Sequence, residues 1–185
     1  ILIDLPDLSL MKDNRFLEEK SKFPVQIKAF EHFYQPLLQG ECECLGFENI
    51  DLFAFKTTGG SNLDPEDTAT DSKGNILSLE KDICAKFDLI LAITDYSLTA
   101  PLTALAKQYG FRGATLHGVN DIILNSGLSV DYRVISEQAE TFRLVLDQAD
   151  SFDLEFELLD STYHLRVDCD RQTAQKSHGL YCEPA

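Results

Sequence analysis

The sequence predicts an α/β protein: a parallel-sheet, Rossmann-like layer domain over residues 1–150, then the start of an antiparallel β-rich domain over 151–185. Three observations predict it. First, Phe87–Gly118 reads as a buried strand, a polar turn, an amphipathic helix, a Gly turn and a second short strand. That order is the pattern of a parallel β-α-β unit. Second, the chain opens on another short apolar run, Ile1-Leu2-Ile3-Asp4-Leu5, stopped by Pro6. Third, from Ser151 the pattern alternates strictly through Leu158 and again from Tyr163 to Cys169, around a turn at Asp160-Ser161-Thr162. Period-two alternation on both sides of a turn describes a half-exposed antiparallel hairpin.

The elements follow in order. After the first strand, Asp13 or Asn14 can cap a helix through Arg15–Lys20. Pro24 suits the first turn of the next helix, whose apolar residues from Val25 to Leu38 keep helical spacing, with Pro36 kinking or ending it and Gly40 as a stop. Glu41–Cys44 fits no pattern. Phe47–Phe55 contains the second strand, and Lys56–Asn75 is a long polar segment with almost no apolar anchors, the kind of loop that is functional or mobile. A helix from Ile76 to Lys86 leads into the central unit. Val119–Ser126 is a short helix, and Asp131–Asp150 is the clearest helix in the chain, apolar on one side through Val134, Ile135, Ala139, Phe142, Val145 and Ala149.

Charge and composition bound the function. The formal net charge is −15, with 44% hydrophobic and 25% charged residues. Clustered Lys and Arg are what phosphate backbones require, so nucleic acid is not an expected partner. No apolar run reaches the roughly 20 residues that span a bilayer, so no membrane association is expected and a cytoplasmic protein is the default. Five cysteines (Cys42, Cys44, Cys84, Cys169 and Cys182) contain no Cys-x-x-Cys and read as reduced, structural thiols. The chain opens in mid-strand without Met and closes on an irregular tail, as a piece of a longer protein would.

Ligands of open parallel sheets bind at the carboxyl ends of the strands, which points to the turns after Ile93 and Leu116. Ser97 can cap the helix after the first of these turns, and that helix's amino end favours an anion, with Asp95 and Tyr96 beside it. His117 follows a strand to the same edge, where it can serve as acid, base or ligand. Asp95, Ser97 and His117 are therefore the candidate substrate-binding residues. Thr58-Gly59-Gly60-Ser61 lacks both the Gly-x-Gly-x-x-Gly pattern and a P-loop lysine, so it reads as a loop. His164 alternates with the hairpin's residues and reads as a surface position, and His32 sits on a helix next to Phe33 with no partner nearby in sequence. His178, Cys182 and Glu183 lie in the tail without a second ligand pair.

Three segments carry a family resemblance: Ala92–Pro101 with Gly110–Val119; the long helix ending in Ala149-Asp150-Ser151 and passing into the acidic hairpin; and Asp170–Pro184. Together they resemble the amino-terminal half of the aminopeptidase T and aminopeptidase S family of thermophilic metallo-aminopeptidases. That family takes in leucyl-aminopeptidase-like proteins and iron-dependent dihydroxypyridine dioxygenases. The resemblance covers roughly Ile50–Ala185, and none of its motifs is catalytic. It implies a hydrolase that releases amino-terminal residues from peptides, using one or two divalent ions such as zinc or cobalt in a larger carboxy-terminal domain. No residue among 1–185 matches a metal ligand of the family, so none is assigned, and the fragment itself is expected to be inactive and metal-free. A peptide or small molecule is the implied substrate, and a homodimer is a possible assembly. The alternatives are a non-catalytic binding or scaffold protein on the same fold and a metal-dependent oxygenase relative.

Overall fold

The central strand of the sheet is the first one in the sequence. In the computed structural model, which describes residues 1–40, 46–169, 172–174 and 176, all four residues of β1 (Leu2–Leu5) are buried. A strand with neighbours on both edges and helices on both faces leaves no position for solvent, so it is apolar throughout except at Asp4. β1 runs parallel to β2 (Phe53–Lys56), with Leu2 opposite Phe53 and Asp4 opposite Phe55. On its other side it runs parallel to β5 (Leu89–Ala92), which in turn pairs in parallel with β6 (Arg112–Thr115). Beyond β2 the direction reverses: β3 (Ala69–Asp71) and β4 (Ile76–Leu77) are added antiparallel, giving a six-stranded sheet in the order β4-β3-β2-β1-β5-β6. The protein is thus mixed α/β, its sheet parallel at the centre.

The added strands correct the reading of residues 56–86. The expected unstructured loop holds β3, whose Ala69 and Thr70 are buried, and Ile76-Leu77 is a strand rather than the start of a helix. What remains helical there is a single wide turn, α2 (Leu79–Cys84), capped by the Ser78 hydroxyl, which accepts from the Lys81 amide. Small and polar residues such as Ala69 and Thr70 carry no apolar signature, and their burial comes from sheet neighbours rather than from local pattern. The turn between β3 and β4 is tied by Asp71, whose carboxylate accepts from the Lys73 and Asn75 amides and the Asn75 side chain.

The helix expected from Pro24 is present as α1 (residues 24–38), regular over Pro24–Lys28 and Gln35–Leu38 and π-helical over Ala29–Tyr34. Pro36 has no N–H to return to the preceding turn, and just before it the bonding shifts by one residue, the Gln35 amide reaching Phe30. The shorter helix expected over Arg15–Lys20 is instead part of a tight-turned segment, Leu8–Glu18, interrupted where Asp13 and Asn14 adopt left-handed backbone angles.

Side chains of β1, β2, β3 and β5 (Leu2, Phe53, Phe55, Ala69, Ile90 and Ala92) form one core cluster with α2 and with α3 (Thr99–Tyr109). Gly113 on β6 lets α3 come close: a Cβ there would stand 2.9 Å from Leu102 Cδ2. Gly110 ends α3 in a left-handed cap at φ 82°, which costs any other residue strain. Met11 and Phe16 of the 8–18 segment are buried with Val25, Ile27 and Ala29 of α1, Phe16 meeting Phe30 edge-on at 6.2 Å. A short helix, α4 (Asp121–Asn125), follows β6 and is tied to α1 by the Lys28–Asp121 ion pair at 2.5 Å.

The chain divides into two compact units, residues 1–125 and 126–185. The second holds α5 (Tyr132–Leu146) and the predicted hairpin, β7 (Ser151–Leu158) with β8 (Ser161–Asp168). Asp131 caps α5, accepting from the Arg133 amide. The hairpin turns at Leu159-Asp160, both at positive φ, one residue before the expected position. Its register places Phe152, Leu154, Phe156 and Leu158 opposite Val167, Leu165, Tyr163 and Ser161 on one face, and the acidic residues on the other.

Candidate functional site

The candidate functional site is the carboxyl edge of the parallel strands in the first unit. β2 and β5 leave β1 on opposite sides, so the chain changes winding direction between β1 and β5, the position where sheets of this kind form their ligand crevice. Asp4 occupies this position, 2% exposed. One of its oxygens accepts from the Asp95 backbone amide at 2.9 Å and from Gln26 Nε2 at 2.8 Å, and the other accepts from the Thr57 hydroxyl at 3.0 Å. β2 and β5 lead into two of these partners, Thr57 and Asp95, and α1 contributes the third, Gln26. Asp95 is exposed, and its carboxylate accepts from the same Gln26 Nε2 at 3.1 Å. A single amide nitrogen therefore joins two carboxylates, one buried and one at the rim.

The electrostatics follow from that burial. Loss of solvation raises the Asp4 carboxyl above the ordinary 3.8; the Asp95 amide, Gln26 and Thr57 pull it back down, and the Asp95 charge pushes it further up. The Gln26 carbonyl oxygen is buried and has no hydrogen-bond partner among the described residues. Exchanging the amide's oxygen and nitrogen would aim the oxygen at both carboxylates, so the network fixes the amide as drawn.

A loop from the end of β2 crosses to the amino end of α3. Asn62, itself at φ 59°, accepts through Oδ1 from the Ala100 amide at 3.0 Å and donates its own amide to the Ser97 carbonyl at 2.7 Å. Ser61 Oγ accepts from the Ser97 amide at 3.2 Å, and Ser97 Oγ accepts from the Thr99 amide at 3.3 Å. Thr99 and Thr115 exchange a hydroxyl bond at 3.0 Å across α3 and β6. Thus the helix end that was expected to receive an anion already has amides satisfied by Asn62 and Ser97. Asn62→Ala should cost about 1–2 kcal/mol, since it removes a cap and puts Ala at a left-handed position. A urea melt unchanged within error would show that the loop does not hold the helix.

The three candidates from the sequence take different places. Asp95 lies at the rim of the Asp4–Gln26 network. Ser97 is buried in the loop-to-helix junction. His117 is exposed in the turn after β6, brought to the same edge because the Gly118 amide donates to the Thr94 carbonyl at 2.8 Å. Sequence reading missed Asp4, Gln26, Thr57 and Asn62. One signal was present: Asp4 is the single charge within an otherwise apolar strand, and a charge there needs partners.

Other chemistry is weaker. Cys84 is buried, and that burial, with Glu80 and Asp67 nearby, pushes its thiol up to about 11, which favours the protonated form. His164 lies on the hairpin surface against Glu155, and His32 sits beside Lys28. Among the described residues no group of three or more His, Cys, Asp or Glu side chains is placed to hold a metal ion. Cys42, Cys44, His178, Cys182 and Glu183 lie outside the described residues. A hollow of about 470 Å³ at the opposite, amino-terminal edge is lined by Ile1, Phe47, Asp51, Phe87 and Leu89, but no buried unpartnered side chain points to a ligand there among the described residues. No described helix is long and apolar enough to cross a membrane.

Comparison with known proteins returned no matching family model, no matching curated protein and no matching solved structure.

Proposed function

We propose that residues 1–125 are a Rossmann-like ligand-binding unit, the substrate-facing wall of a hydrolase of the metallo-aminopeptidase type. The observation that carries the binding role is the convergence of Asp4, Gln26, Thr57 and Asp95 at the crossover between β1 and β5. The hydrolase class rests on the resemblance of Ala92–Pro101 with Gly110–Val119, of the long helix passing into the acidic hairpin, and of Asp170–Pro184. In this reading Asp95 and His117 face a peptide or small molecule, and Ser97 holds the loop that frames it. The resemblance places the zinc or cobalt in a carboxy-terminal domain, so the role proposed for this unit is binding and positioning.

Amide chemical-shift mapping of the ¹⁵N-labelled chain with a leucyl dipeptide tests this. Saturable shifts should gather at residues 57–62, 94–99 and 115–118. Shifts confined to other regions, or none at millimolar peptide, would overturn the binding role. Turnover of leucyl p-nitroanilide by the chain itself with added zinc or cobalt would overturn the restriction to binding.

A further inference from the structure

We infer that the hollow at the amino-terminal edge of the sheet is a second binding site, one that takes an uncharged, flat aromatic molecule. At about 470 Å³ it has the size of a small-molecule site. Its apolar floor follows from the alternation of β5. Ile90 and Ala92 lie in the core cluster with Leu102 of α3, so Leu89 and Leu91 turn to the opposite face of the sheet. A parallel strand is ordinarily covered on both faces. Here Leu89 is 36% exposed, and both leucines line the hollow instead. Phe47 and Phe87 line it as well, Phe87 held edge-on against Phe53 at 5.5 Å and Phe47 45% exposed. Rings in edge-to-face or offset contact gain more than the area they bury, which favours an aromatic ligand over an aliphatic one.

The lining sets the charge of the ligand. Its charged side chains are Glu48, Asp51, Asp88 and Lys86, and the Lys86 ammonium is paired with Asp82 at 2.7 Å. The α-amino group of Ile1 donates to the Asp51 carbonyl at 2.6 Å, and the other side-chain donor in the lining, Asn49, is neutral. An anion would therefore meet three carboxylates and cations already in use. A cation would gain only exposed, screened carboxylates, less than it costs to take a charge from water onto an apolar floor. The buried side-chain atoms without partners among the described residues, Asn14 Oδ1 and Gln26 Oε1, belong to residues outside this lining, so recognition here is by apolar surface and shape. The hollow shares no residue with the Asp4 network at the carboxyl edge, and either site can fail alone.

The test is a titration of the ¹⁵N-labelled 185-residue chain with indole, and with indole-3-acetate and tryptamine as its anionic and cationic counterparts at equal ionic strength. Indole should shift the backbone amides of Asn49, Ile50, Asp88 and Leu89 saturably and leave those of residues 94–99 in place. Indole-3-acetate should bind at least about threefold more weakly, the scale of a few exposed like charges. Tryptamine should bind no more tightly than indole. Phe47→Ala, at an exposed position, should weaken indole about tenfold through the lost ring contact and area, with unmoved amides at 94–99 showing that the unit is folded. Shifts that do not saturate or that lie away from the hollow, or an unchanged affinity in Phe47→Ala, would overturn the site. Indole-3-acetate binding as tightly as indole, or tryptamine binding more tightly, would overturn the uncharged character of its ligand.

Discussion

Replacing Asp4 by Ala should destabilise the first unit by about 2–4 kcal/mol, measured by urea unfolding. The substitution leaves the Thr57 hydroxyl and the Asp95 amide without their acceptor in a buried crevice and takes one of two acceptors from Gln26. Asp4→Asn keeps the shape and one acceptor, and should cost about 1 kcal/mol. A loss below 0.5 kcal/mol for the Ala variant, within the range of surface changes, would mean that water replaces the carboxylate and that the crevice is wetter than its burial implies.

The same residue sets a pH dependence of unusual sign. Burial raises its carboxyl in the folded chain above the 3.8 of an unexceptional aspartate. The folded protein then keeps a proton that the unfolded chain releases. Its stabilising contribution is full below 3.8 and declines as pH rises through the folded value. The deficit of Asp4→Asn relative to the parent protein should therefore be largest in acid and shrink towards neutrality. Asp121, held below the ordinary value chiefly by the Lys28 hydrogen bond, works the other way: its contribution is present above 3.8 and lost in acid. Melts of parent and variant across this range separate the two, and a deficit that grows with pH would reject the buried-carboxyl account.

The second large effect concerns the hairpin. Leu154, Phe156, Leu158, Tyr163 and Leu165 share one face and are each about half exposed, with Phe156 stacked on Tyr163 at 5.7 Å. A two-stranded sheet with an uncovered apolar face is marginal in water, and such a face associates. The purified chain should sediment as concentration-dependent oligomers at tens of micromolar. Exchanging the directly opposed Leu154 and Leu165 for Glu and Lys keeps a favourable cross-strand pair while removing the apolar centre, and should return it to monomer. A parent chain that stays monomeric with a single sharp melt would show that the face drives no association.

How far the sequence foretold this depends on where each signal resides. The hairpin and α5 were legible because their periodicity is local: alternation in 151–158 and helical spacing from Val134 to Val145. The β5-α3-β6 unit was legible for the same reason. β3 was not, because Ala69 and Thr70 become strand only by pairing with Phe55 and Ala54. The winding of α1 through a π turn before Pro36 likewise depends on what the bonding does around one missing N–H. The site was half legible. Asp95 and His117 follow from the rule that ligands sit at strand ends, but the network is centred on Asp4 and Gln26, separated by 22 positions in the chain and joined only in the folded state.

That separation has a kinetic consequence. Of the six strands of this sheet β1 is made first, yet its two neighbours come from residues 53–56 and 89–92. On the ribosome β1 waits for its sheet neighbour β2 to emerge, and then for β5 to cover its other edge. Closing such long loops is entropically slow, so the sheet assembles late and as a whole. Asp4 acquires its last partner, the Asp95 amide, only at that final closure. The crevice is thus among the last features of the unit to form, and a ligand that fits it would bind only chains that have finished folding.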